Sequence, residues 1–239
     1  MNILSLDCCS SSCSAALTQD DRLLSLCLLD CGLGHSKTIL TQIDQVLTNA
    51  GMTLRDIDYI ATTVGPGSFT GIRIGVATAK GLSQATGIGL IPLSTMDALA
   101  YNSTAPDGTI LACVLDARRQ QVYNALFEMR NGRPVRLCED RALSVEELGE
   151  QLQTMHQPVL FLGDGAPLCY DRLSDRLDCR IAPRNLIAAS AASAAMAAYQ
   201  IACQDHFCPT DCHDLMPVYL RRPQAERERL ERLRLEEKA

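Results

Sequence analysis

The run Gly65-Pro66-Gly67-Ser68-Phe69-Thr70-Gly71 follows an apolar stretch and leads into a helical one. A helix that opens there presents unpaired N–H groups and the positive end of its dipole, which suits a bound anion. The alternative is a capped strand-to-helix turn that binds nothing. The run has neither the Gly-Lys-Ser/Thr ending of a P-loop nor the G-x-G-x-x-G spacing of a dinucleotide fold. Asp7 and Asp116 each close an apolar run. A carboxylate in that place can hold metal-bound water, or it can cap the turn that follows. Capping is the favoured role, because the glycine-rich loops that would receive a phosphate are missing beside both. Cys8-Cys9-Ser10-Ser11-Ser12 offers hydroxyls without Gly, and Ala117-Arg118-Arg119-Gln120 carries bulky side chains. A nucleotide site built on Asp7 and Asp116 would therefore be vestigial.

His206, Cys208, Cys212 and His213 bring four candidate metal ligands into eight residues. That spacing is too compressed for paired zinc knuckles, so a Cys-rich loop is expected and no metal is assigned. His35 and His156 are isolated and are read as structural or solvated. No two histidines stand four apart, the spacing that turns both rings to one side of a helix. No Ser/His/Asp constellation stands at a recognisable spacing either.

The elements that would position these residues follow from periodicity. Ile3–Cys8, Cys13–Thr18 and Leu23–Leu28 read as three strands separated by polar turns. After Ser36, a candidate N-cap, Ile39, Leu40, Ile43, Val46, Leu47 and Ala50 mark one face of a helix that Gly51 stops. Tyr59–Val64 is a strand, Phe69–Ala85 a helix and Ile88–Leu93 a strand, with Ser94-Thr95 capping a short helix. Polar Asn102–Gly108 marks a boundary. Thr109–Asp116, Gln121–Met129 and Val135–Glu139 then read as strands, Ser144–Gln153 as a helix with a Ser144/Glu147 capping box, Pro158–Gly163 as a strand and Leu186–Gln200 as an Ala-rich helix. The order repeats, which predicts two duplicated α/β lobes, 1–104 and 105–220, with the last helix able to straddle both. A charged tail, 221–239, is expected to be solvated.

The chain has 239 residues, 47% hydrophobic, with no Trp and 4% aromatics, so its core must be aliphatic and Ala-rich. A formal charge of −6 argues against a broad grip on nucleic acid, which needs clustered Lys and Arg. Met1-Asn2-Ile3-Leu4-Ser5-Leu6 meets Asp7 without a basic start or a long apolar run, and Ala188–Cys203 is too short to span a bilayer. Neither secretion nor membrane insertion is expected, and the location is read as cytoplasmic. The twelve cysteines sit mostly in apolar runs and are read as free thiols.

The Phe69–Ala85 helix carries small or apolar residues on three sides. Gly71, Gly75, Thr78 and Leu82 lie on one line, flanked by Ile72, Val76 and Ala79 and by Ile74, Ala77 and Gly81, while Arg73, Lys80 and Gln84 form a narrow polar stripe. Such a helix is covered on more than one side. The sheet and the Ser36–Ala50 helix account for two neighbours, and a second chain is expected as the third. The predicted interface uses Ile39, Ile43 and Val46 from one helix and Ile72, Val76, Ala77 and Lys80 from the other.

The block Gly65-Pro66-Gly67-Ser68-Phe69-Thr70-Gly71-Ile72-Arg73-Ile74-Gly75 resembles the signature of the TsaB (YeaZ) family. Ile3–Asp7, Leu93-Ser94-Thr95, Leu115-Asp116-Ala117-Arg118 with Val122-Tyr123, and Pro217–Arg221 extend the resemblance in order. It implies an actin/Hsp70-like (ASKHA) fold. It implies pairing with a related catalytic TsaD-type subunit and a TsaE-type ATPase, to place a threonylcarbamoyl group on the adenosine beside the anticodon of tRNAs that read A-starting codons. ATP and metal are then expected on the partner subunits, and tRNA is met through the complex. A homodimer competes for the same surface when the chain is alone. The catalytic relatives hold metal through an H-x-x-x-H pair, and the matching helix here begins Ser94-Thr95-Met96-Asp97-Ala98, without imidazole. The rival function is a stand-alone actin-like ATP-dependent phosphotransferase.

Overall fold

The structure is a computed structural model that describes residues 1–221. Apart from Arg221, the charged tail expected at 221–239 lies outside the described residues. Strands β1 (Asn2–Asp7), β2 (Cys13–Gln19), β3 (Arg22–Leu29), β4 (Tyr59–Gly65) and β5 (Gly89–Ser94) form a first sheet in the order β3-β2-β1-β4-β5. The first three pair antiparallel, and β4 and β5 add in parallel. Strands β6 (Ile110–Asp116), β7 (Gln121–Arg130), β8 (Arg133–Arg136), β10 (Val159–Leu162) and β11 (Cys179–Ile181) form a second sheet ordered β11-β10-β6-β7-β8, with β9 (Arg141–Ser144) also on β7. Counted from β6 this is the same path, with the same senses. The repeated topology is the duplicated actin/Hsp70-like α/β fold.

Side-chain alternation along each inner strand builds three apolar layers. Leu4 and Leu6 of β1 face the layer under α1 (His35–Ala50) and α2 (Phe69–Thr86), whereas Ile3 faces the interior between the sheets. On β6, Leu111, Cys113 and Leu115 face that interior, and Ile110, Ala112 and Val114 face α4 (Val145–Met155) and α5 (Ala166–Leu173). The interior holds α3 (Thr95–Ala100) and α6 (Ala191–Ala202). Ala191, Ala194, Ala195, Ala197 and Ala198 of α6 are at most 2% exposed. Their small side chains let that helix lie close to the first sheet, where its first N–H donates to Ser14 Oγ at 2.9 Å.

Several ends differ from the sequence reading. Helix α1 starts one residue before Ser36, on Gly34, which supplies no side-chain cap. Helix α6 starts at Ala191, not Leu186, because Ser190 and Ser193 form a reciprocal capping box there. Strands β9 and β11 and helix α5 are additions: they are four, three and eight residues long, too short for periodicity to reveal. The Ser144/Glu147 capping box forms as expected, and all twelve cysteines are free. No helix among the described residues is long and apolar enough to cross a membrane.

One ion network ties α3 to the second sheet. Arg136 lies between Asp97, at 2.8 Å, and Asp140, at 2.7 Å, with its guanidinium 4.7 Å from the Phe127 ring centre. Burial pushes the Asp97 carboxyl up, against the pull of Arg136. Removing the cation strands two mostly buried carboxyls. We therefore expect Arg136→Ala to cost about 2–3 kcal/mol of stability in denaturant unfolding, and added Asp97→Asn and Asp140→Asn to recover part of it. A cost within experimental error would show the network to be surface ornament.

Candidate functional site

The two lobes meet at a cleft of about 420 Å³. Ser10, Ser11, Gly67 and Ser68 line it from the first lobe, and Asp116, Arg118, Tyr123 and Asp164 from the second. This is where strand-end carboxylates of both lobes could face a ligand, and it treats Asp7 and Asp116 differently. Asp116 lines the cleft, but its own loop engages it: Oδ1 accepts from the Arg118 N–H at 2.7 Å and Oδ2 lies 3.4 Å from Arg118 Nη1. Arg118, Arg119 and Gln120 all sit in the left-handed region, with φ of 66°, 55° and 58°, in this tight β6–β7 connection. Asp7 is fully buried and does not line the cleft. Its Oδ1 accepts from Thr63 Oγ1 at 2.7 Å and from the Cys9 N–H at 3.3 Å, and burial pushes its carboxyl up. The two carboxylates are therefore not brought together in one open site; each serves the turn after its strand.

The Gly65–Gly71 block forms a capped strand-to-helix turn. Ser68 caps α2, its Oγ accepting from the Gly71 N–H at 3.3 Å, and the Ser68 N–H donates to Cys9 O at 2.8 Å. A Cβ on Gly67 would stand 2.2 Å from Cys9 O, and one on Gly71 1.9 Å from Cys8 O. The glycines let the start of α2 rest on the backbone of the β1–β2 turn. Gly75, next along, packs at ordinary distance on Cys8 and Thr62 of the sheet. Pro66 is buried, Thr70 exposed.

The C-terminal segment lies along the same helix. The Val218 N–H donates to Val64 O at 2.8 Å, and Lys80 Nζ donates to Leu215 O at 3.1 Å. Arg73 stacks 3.9 Å over the Phe69 ring and donates from Nε to Tyr219 Oη at 2.9 Å, with the two rings 4.9 Å apart. Arg221 reaches the other lobe, donating to Ala117 O at 3.0 Å. Within this chain the Pro217–Arg221 motif thus straps α2 to the cleft.

The predicted interface residues divide sharply. Ile39, Ile43, Val46, Ile72 and Val76 are 0–4% exposed and belong to the chain's own core between α1, α2 and the first sheet. They face the sheet because each helix turns its large apolar side chains onto the nearest apolar layer. As surface residues they are corrected: a partner can touch only the other sides of these helices. Ala77 and Gly81 are exposed, Ile74 is half-buried, and Leu40 on α1 is 62% exposed. Lys80 is held by the C-terminal segment, half-buried.

Of the His206/Cys208/Cys212/His213 cluster, only Cys212 and His213 come together, joined by Asp211. Their exposed loop is organised by the His213 N–H on Asp211 Oδ1 at 2.8 Å. The sequence reading missed Asp164, which accepts the Asp116 N–H at 2.8 Å and whose carboxyl burial pushes up. Gly163-Asp164-Gly165 directly after a strand is the signal that would have found it.

Comparison with known proteins agrees with this geometry. A family model described as TsaD, tRNA N6-adenosine threonylcarbamoyltransferase, matches residues 31–232. The tRNA threonylcarbamoyladenosine biosynthesis protein TsaB of Bacillus subtilis is 31% identical over 74% of this chain and 77% of its own length. The TsaB of Escherichia coli is 36% identical, over 54% of this chain and 55% of that protein. Among solved structures, YeaZ from Pseudomonas aeruginosa superposes with a TM-score of 0.79 at 22% identity, covering 92% of this chain and 99% of that one. With its signature folded as a strand-to-helix turn between two duplicated lobes, the chain belongs to the TsaB (YeaZ) family, within the wider group that the threonylcarbamoyltransferase model describes.

Proposed function

We propose that this chain is a non-catalytic subunit of tRNA threonylcarbamoyladenosine biosynthesis, working in the cytoplasm by holding a TsaD-type catalytic subunit, with a TsaE-type ATPase acting on the pair. The observation that carries the non-catalytic reading is the cleft. Its second-lobe carboxylate, Asp116, is taken up by Arg118, and its first-lobe counterpart, Asp7, is buried out of reach. The helix that would present a metal-binding pair is the six-residue α3. Its one charged side chain, Asp97, is paired with Arg136. The role in tRNA modification rests on family membership, since the curated relatives carry that name. The partner surface is the exposed side of α2 around Ala77 and Gly81, with Leu40 of α1 beside the same layer. Exposed apolar area of this kind commonly marks an interaction site, and a homodimer of the isolated chain would use it too.

The test is reconstitution. Threonylcarbamoylation of tRNA by the TsaD-type and TsaE-type proteins should require this chain, and the chain alone should release no phosphate from ATP. Robust release by the chain alone, abolished by Asp116→Asn, would replace this reading with that of a stand-alone phosphotransferase.

A further inference from the structure

Beneath the start of α2 lies a second group of chemically active side chains that the cleft does not use. Cys8 and Cys13 face each other where β1 and β2 part, one step beyond the Asp7–Ser14 pair. Their sulfurs are 3.6 Å apart and both residues are at most 2% exposed. One ring nitrogen of His35, the first residue of α1, lies within 4.8 Å of both sulfurs. Gln42 stands seven residues further along α1, on the same face, and is 2% exposed. Its Nε2 donates to Cys13 O at 2.9 Å, which turns its Oε1 to within 3.2 Å of Cys13 Sγ.

We propose that Cys8, Cys13, His35 and Gln42 form a binding site for a thiophilic divalent cation of the zinc class. The spacing fits: two thiolates about 2.3 Å from a tetrahedral zinc stand roughly 3.8 Å apart, against 3.6 Å between these sulfurs. The imidazole is oriented as ligating histidines are, by a hydrogen bond from its other nitrogen to a backbone carbonyl. His35 Nε2 lies 3.2 Å from Ser11 O, and in the tautomer that donates this bond Nδ1 keeps its lone pair. Gln42 completes a fourth, neutral donor whose amide is already locked. Binding releases one proton from each thiol, so two thiolates and a divalent ion make a neutral group, which a buried site tolerates where a lone charge would not. The site joins the β1–β2 turn to the uncapped start of α1, directly under the Gly71 contact with Cys8 O. A bound ion there would clamp three elements that meet at the signature block. It serves neither ATP turnover nor the partner surface.

The full chain, stripped with a chelator under reducing conditions, is titrated with Co²⁺ and then with Zn²⁺. The expected result is one ion per chain, a thiolate-to-cobalt charge-transfer band that Zn²⁺ bleaches, and two protons released per ion. Cys8→Ser and Cys13→Ser should remove the band. His35→Ala, at a half-exposed position that the fold tolerates, should weaken binding on the order of tenfold or more. Cys212→Ser with His213→Ala, in the exposed loop, should change nothing, and circular dichroism establishes that each variant is folded. A folded wild-type chain without the band overturns the proposal, as does a band that survives loss of either cysteine or a cobalt affinity that loss of His35 leaves unchanged. Recovery of the reduced-lysate protein with Cys8 and Cys13 joined as a disulfide and without metal overturns it in favour of a redox pair.

Discussion

Gly71→Ala is expected to destabilise the protein by about 3 kcal/mol or more, although the residue is helical. On an open helical surface Ala is favoured over Gly by about 1 kcal/mol, so packing must reverse the sign. The new methyl would stand 1.9 Å from Cys8 O, a backbone atom that no rotamer change can move. Either α2 must rise from the sheet or the β1–β2 turn must yield, and both are tied by the Ser68 N–H bond to Cys9 O at 2.8 Å. Gly81, ten residues along the same helix, has nothing within 4 Å of its would-be Cβ. Gly81→Ala should stabilise by about 0.5–1 kcal/mol. For a chain of this size each kcal/mol moves the midpoint by about 2–4 °C, so thermal melts separate the two variants in opposite directions. If Gly71→Ala melts at or above the parent, the close approach of α2 to the turn is not what the glycine provides.

The same contrast shows what the amino-acid pattern could reveal. Helix α2 was legible from Phe69 to Ala85, one residue short of its end at Thr86, because periodicity is local. The duplicated order of strands and helices was legible too, and the two sheets repeat one path. Short pieces were not. Three-residue β11 owes its existence to the edge of β10, which offers it a parallel partner at Val159–Phe161. The cleft was half legible: bulky residues in place of glycines after Asp116 can be read from the sequence, but the pairing of Asp116 with Arg118 depends on three successive left-handed residues that no pattern announces. The Cys8/Cys13/His35 group was hidden for another reason. Cys8 and Cys13 follow from hairpin register, but His35 reaches them only because α1 packs back over the turn.

The interface expectation was open at the point where a helix has small or apolar residues on more than one side and the sequence does not say which is inside: Ile72 and Val76 turn into this chain's own core and Ala77 stays exposed. The expected line through Gly71, Gly75, Thr78 and Leu82 does meet the sheet at its glycines, yet Thr78 and Leu82 are only half-buried. The buried centre is rotated toward Ile72, Val76, Ala79 and Ser83. That rotation decides which flank remains for a partner, and a pair of substitutions tests it. Val76 is 4% exposed within the layer that holds Ile39, Ile43 and Ile72. Val76→Arg would bury a guanidinium without a counter-charge, and we expect it to cost about 4 kcal/mol or more, leaving little folded chain. Ala77, one residue on, is exposed. Ala77→Arg should change stability by no more than about 0.5 kcal/mol, because the long side chain can extend into water. At an interface core the same charge must be desolvated without a partner, so binding to the TsaD-type subunit should weaken on the order of 100-fold, about 2.7 kcal/mol. Circular dichroism and size-exclusion report the fold, and titration calorimetry reports the affinity. An Ala77→Arg variant that folds and binds with unchanged affinity places the interface away from this flank. A Val76→Arg variant that folds normally would mean that α2 is turned the other way. The two outcomes are independent, because burial of Val76 is set within this chain and the fate of Ala77 by what covers it.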